Sequence, residues 1–440
     1  MNRPLISVQR HLSASREASP SDVSQNTLVE SRLERLSRRS ARCALLGGEA
    51  PSSAATEVII RRATTEEERD AIYRLRYQVY IEEMNGAHRH QEADAGKQQL
   101  RDAWDDRAYH FYAVQQGEVV ACARILMRRD GPLECEEHFE LERFGASYPH
   151  HLGMTSRLAL HPGHRGSHLL KQLTCAMYEF VREEGVHFNF IDCHTRLLPL
   201  YSRLGFRAYR CGFNHAQYTY VVPMVLVVDD LEYLEQVKSP FAPIAKHYPC
   251  SSEGRRLLLA QFPDAVSLLD LHGQPAARSR ERMLERLIGG NQPPPASNML
   301  DGLTREDIPL LASLGHYVTC RAGDAVLRAG DPGRDIFLIL DGCFEVSGRI
   351  QHTPQDEIQV RKTLSAGDVF GEIRFLTDEI RYATVAAVEH STLLVLNAKA
   401  LDRLVITAPK VAAKVFRNIA RIVVSRLCPS HDNAPAPSSP

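Results

Sequence analysis

Residues Thr155-Ser-Arg-Leu-Ala-Leu-His-Pro-Gly-His-Arg-Gly-Ser-His-Leu-Leu170 decide the fold of the first half of this chain. Ser156 to His161 read as an apolar-rich strand, stopped by the Pro162-Gly163 turn. Arg165, Gly166, Ser167 and His168 then lead into a helix. Its Leu169, Leu170, Leu173, Met177, Phe180 and Val181 recur at helical spacing on one stripe. Such a strand–turn–helix aims the free N–H groups of the turn and of the helix N-terminus at one point, where the helix dipole favours negative charge. Arg165 adds a positive charge that no physiological pH removes. The ligand chemistry that fits is the pyrophosphate of coenzyme A or the phosphate of a carrier-bound pantetheine, held by Arg165, Gly166, Ser167, His168 and Leu169.

The rest of the chain sets limits on that reading. Its 440 residues accommodate two or three domains. A net charge of -1 argues against a protein that coats nucleic acid. No run of 18 apolar residues offers a membrane span, and no signal-peptide pattern opens the chain. Ten scattered cysteines without a Cys-x-x-Cys pair read as reduced thiols in a cytoplasm. Five histidines between His150 and His168 match no metal-ligand spacing, so no metal is expected. Residues 1–55 have the composition of a disordered tail, although Val29 to Leu46 forms a basic amphipathic pattern compatible with peripheral contact to a lipid surface.

Residues 56–245 read as one domain. Glu57 to Arg61 is a short strand, and Thr64 or Thr65 with Glu three residues later starts a helix that buries Ile72, Leu75 and Val79. Arg76, Tyr80 and Glu83 fall on another face. Residues 85–107 read as a loop, Tyr109 to Gln115 and Glu118 to Met127 as a hairpin, and His187 to Asp192 as a buried strand. A short helix ends at Leu200-Tyr201-Ser-Arg-Leu-Gly-Phe206, and two strands finish at Val228.

This order of elements, with the phosphate turn and the Leu200–Phe206 segment, resembles the GNAT N-acyltransferase fold, an α+β mixed sheet flanked by helices. Arg74-Leu-Arg-Tyr-Gln-Val-Tyr-Ile-Glu-Glu83, Cys122-Ala-Arg-Ile-Leu126, Ser156-Arg-Leu-Ala159 and Val222-Pro-Met-Val-Leu-Val-Val-Asp-Asp230 are similar to the autoinducer-synthase-like branch, and within it to the long-chain N-acyl amino acid synthases. The resemblance implies transfer of a fatty acyl group from acyl-carrier protein or acyl-CoA to the amine of an amino acid or similar small molecule. Two departures narrow this. His168 and Leu170 stand where the family has small residues, which favours a carrier-bound pantetheine over free acyl-CoA. Met154 stands where homoserine-lactone synthases have an acidic residue, which argues against that product.

The reaction asks for little: an amine must lose a proton, a thioester carbonyl must be polarised, and a thiolate must leave. Backbone N–H groups near Leu158 to Leu160, on a splayed strand, suit the oxyanion. Glu83, Asp105 and Asp106 are the candidate bases, acting through a water. The resemblance places Tyr201 to protonate the departing thiolate. Arg124 and Arg157 suit a bidentate grip on an acceptor carboxylate, with Arg76 and Tyr80 beside them.

Residues 246–300 read as a helical and Pro-rich linker, with helices at Gly254–Phe262 and Ala277–Ile288. Residues 301–428 form a second domain, and 429–440 a disordered tail. Short strands punctuated by glycine from His316 to Asn397 mark a β-roll or jelly roll. Gly367-Asp-Val-Phe-Gly-Glu-Ile373 followed by Arg381-Tyr-Ala-Thr-Val385 resembles the phosphate-binding cassette of cyclic nucleotide-binding domains. The resemblance implies that Phe370, Gly371, Glu372, Ile373, Arg381, Tyr382 and Thr384 surround cAMP or cGMP. Arg381 would neutralise the phosphate and Glu372 accept from the ribose 2′-OH. Arg374 departs from the family's small or apolar residue, and Asp378-Glu379 places negative charge near Arg381. No helix-turn-helix follows, so nucleic acid is not an expected partner. The expectation is an N-acyltransferase, compatible with a homodimer and with regulation by a cyclic nucleotide. A cyclic-nucleotide-regulated acetyltransferase of protein lysine or small amines, and a non-catalytic sensor or scaffold, remain open as alternatives.

Overall fold

A computed structural model describes residues 58–84, 89–263, 275–289, 298–331, 333–353, 356–377 and 380–427. The expected tails, the amphipathic stretch 29–46, the Pro-rich segment 290–297 and Asp378-Glu379 lie outside the described residues.

The first domain is organised on one sheet. Its strands, with a separate two-stranded ribbon, are β1 (Ile59–Arg62), the ribbon β2 (Ala93–Asp94) and β3 (Gln99–Leu100), β4 (Tyr109–Gln115), β5 (Glu118–Met127), β6 (Leu152–Leu160), β7 (Phe188–Cys193), β8 (Arg207–Ala208), β9 (Phe213–His215) and β10 (Thr219–Val227). The order is β1-β4-β5-β6-β7-β10-β8, with β9 on β10. Among the described residues only β6 and β7 pair in parallel. The ribbon lies in the stretch expected to be loop. The helix Glu66–Arg76 starts where the sequence places it, because Thr65 and Glu68 close a reciprocal capping box. It continues into a wide π-helical turn, Tyr77–Glu83, a form concentrated at functional sites.

The helix Leu169–Glu183 covers one sheet face, with Leu173, Met177 and Phe180 packed among Phe111, Ala121 and Ile125. The other face is filled by Phe139, Phe144, Phe190, Tyr209 and Phe213. β6 begins four residues earlier than its own apolar pattern suggests, since Leu152 to Met154 pair with Phe188 to Phe190. That ladder stops at Met154 and Phe190, so the strands diverge beyond it and leave a notch.

The second domain is a β-roll of two sheets. Its strands are β11 (His316–Cys320), β12 (Ala325–Leu327), β13 (Ile336–Asp341), β14 (Cys343–Thr353), β15 (Asp356–Ser365), β16 (Val369–Phe370), β17 (Ala383–Ala387) and β18 (Ser391–Leu396). The sheet orders are β11-β18-β13-β16 and β12-β17-β14-β15. Helices Pro275–Gly289, Ile308–Leu314, Ala398–Thr407 and Pro409–Leu427 contribute to a separate core beside Ile336 and Leu338. The two domains touch closely. Gly212 N–H and the Tyr220 hydroxyl both donate to Thr319 O, each at 3.0 Å, and Val318 and Cys320 join the apolar cluster of the first domain. Among the described residues no helix is long and apolar enough to cross a membrane.

Candidate active site and candidate nucleotide site

The notch between β6 and β7 opens a cavity of about 140 Å³. Tyr80, Glu134, Arg157, Asp192 and Tyr201 supply its reactive wall, and Leu158, Leu197 and Val221 its apolar part. Arg157 is placed by a break in the strand. The β5–β6 register shifts between Cys122 and Arg124, and Arg157 takes φ +53°. A bulky residue in the left-handed region is a local strain that surrounding contacts must hold. Here Arg157 donates to Asp102 at 2.6 Å, to the Tyr218 hydroxyl at 2.5 Å and to Glu92 at 3.2 Å. Its guanidinium also lies 5.8 Å from the ring centres of Tyr80 and Tyr218.

The sequence expects Arg76, Tyr80, Arg124 and Arg157 to grip the acceptor together. The structure puts only Tyr80 and Arg157 on the cavity wall. Arg76 and Arg124, both 0% exposed, lie behind it in a charge network. Asp105 accepts from both at 2.7 Å, and Arg124 also binds Asp102 and Glu134. The reason is compensation: a buried guanidinium without carboxylates is too costly to leave unpaired. Tyr80 donates to Leu158 O at 3.0 Å, which fixes the strand at the notch.

The expected bases are likewise accounted for. Burial alone would raise the Asp105 carboxyl, but the Arg76 and Arg124 guanidiniums outweigh it and hold it well below the usual carboxylate range. Glu83 is engaged by Arg165 through two bonds of 2.5 and 2.7 Å. Asp106 is exposed and pairs with Arg101 at 2.5 Å. None of the three lines the cavity. Tyr201 does, and its hydroxyl has no protein hydrogen-bond partner among the described residues. Burial raises its phenol well above the ordinary value, so it keeps its proton and has an O–H to donate. Tyr201, Leu158 and Thr155 also border an apolar recess lined by Met177, Leu204, Phe206 and Phe241. That recess holds about 30 Å³, the room of a single water. A long acyl tail enters it only if those side chains move.

The Arg165–Leu169 turn joins β6 to the helix Leu169–Glu183, the strand–turn–helix order the sequence predicts. Gly166 sits at φ +81° with open space around it. Ser167 Oγ bonds His164 O at 2.6 Å and accepts from Leu169 N–H at 3.3 Å, and His168 precedes the helix. Leu160 O accepts from Arg165 at 3.3 Å.

In the β-roll, Gly371 (φ +87°) opens the helix Glu372–Leu376. A Cβ there would meet Arg381 Nη1 and Asp335 O at 2.7 Å, so only glycine fits. Arg381, 5% exposed, donates to Gly371 O at 2.7 Å and to Asp335 O at 2.9 Å, while its buried Nε has no partner. Burial pushes its guanidinium down to about 10, against the pull of Asp335. Glu372 pairs with Arg426 of the last helix at 2.7 Å. Phe370 stacks on Phe337 at 4.9 Å, Ile373 accepts from Thr377 N–H, and Thr384 Oγ1 accepts from Ala329 N–H at 3.3 Å. Tyr382 is exposed. Arg374 turns aside to Gly333 O at 3.0 Å.

Both domains also match known proteins. Residues 71–228 match the family of the N-acyl amino acid synthase FeeM, and residues 317–407 the cyclic nucleotide-binding domain. The chain joins an acyltransferase domain to a cyclic nucleotide-binding domain. It is 32% identical over 151 residues to a cAMP-dependent protein kinase regulatory subunit of Yarrowia lipolytica, covering 32% of this chain and 38% of that protein. The chain spans less than half the length of the first curated relatives it matches. Among solved structures, a cAMP-binding acyltransferase from Mycobacterium smegmatis is 24% identical over 35% of this chain and 42% of that one, with a TM-score of 0.26. The AHL synthase LasI is 16% identical over 40% of this chain and 92% of its own, with a TM-score of 0.33.

Arg381 faces the acyltransferase domain. A space of about 20 Å³ is enclosed by Arg381, Asp331 and Asp335 on one side and by His194, Thr195, Arg196 and Tyr220 on the other. Thr195 Oγ1 donates to Asp335 at 3.0 Å, and Arg89 reaches Asp331 at 3.4 Å. His194, Arg196 and Arg89 also line the notch cavity. One short segment therefore walls both sites, which no local sequence pattern announces. Asp192, a lone carboxylate in the apolar run Phe188 to Cys193, was equally hidden in a strand read simply as buried. An acidic residue at a core position was the available signal.

Proposed function

We propose that the notch is where the amine of an amino acid, or a similar small molecule, attacks an acyl thioester delivered by acyl-carrier protein or coenzyme A. The observation that carries this is the end of the β6–β7 ladder at Met154 and Phe190, beside a cavity that combines Arg157 and a proton-bearing Tyr201. Past that point the β7 side of β6 has no ladder partner, and its N–H groups suit a developing oxyanion. An acceptor carboxylate binds Arg157 by taking the place of its longer contact to Glu92, while Asp102 keeps the guanidinium in place, and Tyr201 gives its proton to the departing thiolate. The phosphate end of the donor lies at the Arg165–Leu169 turn, where it displaces Glu83 from Arg165. Purified full chain, offered amino acids with acyl-carrier-protein and CoA thioesters of several lengths, should release thiol and yield N-acyl amino acids by mass spectrometry. Preference for acetyl-CoA with a lysine peptide would favour acetyl transfer instead. Thiol release no faster than in an enzyme-free control would sink both.

The β-roll is read as the receptor of a cyclic nucleotide that controls the first domain. Arg381 is buried with an unpartnered Nε, the setting an anion relieves. A cyclic phosphate arriving there meets the His194–Arg196 wall, and the 20 Å³ between them is too small for it. Occupancy therefore requires that wall to shift, which reshapes the notch cavity behind it. Saturating cAMP or cGMP should change the rate and raise the melting temperature of the wild-type chain. If both nucleotides leave rate and melting temperature unchanged, the β-roll has no such role.

A further inference from the structure

An amine reaches the notch as an ammonium, so some group facing the cavity must take its proton before attack. Among the described residues two carboxylates line it, Glu134 and Asp192. Glu134 is engaged: it accepts from Arg124 Nη2 and Nε and from Ser156 Oγ at 2.5, 3.1 and 2.7 Å. Asp192 is different. Among the described residues no side-chain donor lies within hydrogen-bond distance of its carboxylate, and its one ion-pair contact is His215 Nε2 at 3.9 Å. It sits on β7 just past the last β6 pair, on the wall that also carries Tyr201 and Arg157.

We propose, on the reading of the notch given above, that Asp192 is the general base that takes the acceptor's ammonium proton. The carboxylate accepts one proton from R–NH3+, and the freed lone pair forms the C–N bond to the thioester carbonyl carbon. The tetrahedral oxyanion collapses and the C–S bond breaks. The leaving thiolate takes the Tyr201 proton, and Tyr201 recovers the surplus proton from the new nitrogen. Asp192 then releases its proton to solvent, so each turnover yields one amide, one thiol and one proton.

The surroundings tune the carboxylate for this. Burial pushes it up to about 7, and Glu134 adds to the rise while Arg157 opposes it. His215 is held neutral, its imidazole brought down to about 4 by burial. Cys135, Tyr201 and Tyr218, also facing it, have their protons retained by burial. A base near the working pH transfers protons most effectively.

Asp192→Asn and Asp192→Glu decide the matter, assayed on the full chain with the thioester and amino acid that serve the wild type best. The wild-type kcat/KM should fall about tenfold per pH unit below about 7. Asp192→Asn should lose about 10²–10⁴-fold in kcat and its acidic limb with it, and Asp192→Glu should recover part of both. Unfolding supplies a second readout. A carboxyl raised in the folded state binds a proton there that the unfolded chain has lost, so the contribution of Asp192 to stability falls as pH rises from about 4 to about 7, opposite in sign to that of buried histidines such as His215. Asp192→Asn should remove that falling component from the pH dependence of unfolding while remaining folded. An active wild type whose Asp192→Asn variant keeps the rate and the acidic limb overturns the assignment alone. A wild type that transfers no acyl group overturns the reading of the notch and the base together.

Discussion

Arg124 and Arg381 are both buried guanidiniums, and the difference between them separates scaffold from receptor. Arg124 is surrounded by Asp102, Asp105 and Glu134, and the carboxylates raise it further above its ordinary value against the cost of burial. Arg381 has two backbone carbonyls, an idle Nε and a guanidinium lowered by burial. A cation compensated on every side holds neighbouring segments in place, and another anion adds nothing. A cation whose hydrogen bonds go only to backbone carbonyls, with carboxylates near but not bonded to it, gains from a phosphate. Arg165 makes a third case, exposed and paired with Glu83, where the pair is weak enough to be exchanged for a ligand.

Breaking the compensated member should have the largest effect. Arg124→Ala leaves three acids facing one another, and about 3–5 kcal/mol of stability should be lost in urea unfolding at pH 7. An unchanged midpoint would mean the network is not structural. Asp105→Asn tests the same network through pH. Asp105 is depressed in the folded state, so its stabilisation is present above the usual carboxylate range and fades as pH falls through the folded value. The penalty of Asp105→Asn should accordingly be large at pH 7 and smaller at pH 2.5.

The uncompensated member should behave in the opposite way. Arg381→Gln should cost the empty chain under about 1 kcal/mol, yet remove the nucleotide's stabilisation, which is about 2.7 kcal/mol at a hundredfold excess over Kd in the wild type. A variant that still shifts with cAMP or cGMP would dismiss Arg381 as the phosphate ligand. Thr195→Val cuts the side-chain bond from the shared wall to Asp335. It should alter the nucleotide's effect on rate severalfold while changing stability by about 1 kcal/mol. The smallest effect belongs to the exposed pair: Glu83→Gln should shift stability by no more than about 1 kcal/mol and lower KM for the thioester by freeing Arg165.

Local periodicity and turn chemistry made much of this molecule legible. The capping box at Thr65, the glycine turn before Leu169 and the glycine of the cassette at Gly371 each rest on a few adjacent residues, so they could be read directly. The sequence also named Arg157, Tyr80 and Tyr201, which share the cavity. It could not rank the arginines. Whether Arg76 or Arg157 faces the notch depends on a register shift opposite Cys122 and on acids 29 and 55 residues away.

Sequence alone therefore determined most of the two domains' elements and the positions of the turns at Gly166 and Gly371, because both follow from short-range spacing and backbone geometry. Tertiary structure decided which charges are compensated, which carboxylate is left idle at Asp192, and that His194–Arg196 borders both sites. Those outcomes depend on contacts such as Thr195 with Asp335, 140 residues apart. Electrostatic compensation is a property of what packing brings together, and a linear pattern does not contain it.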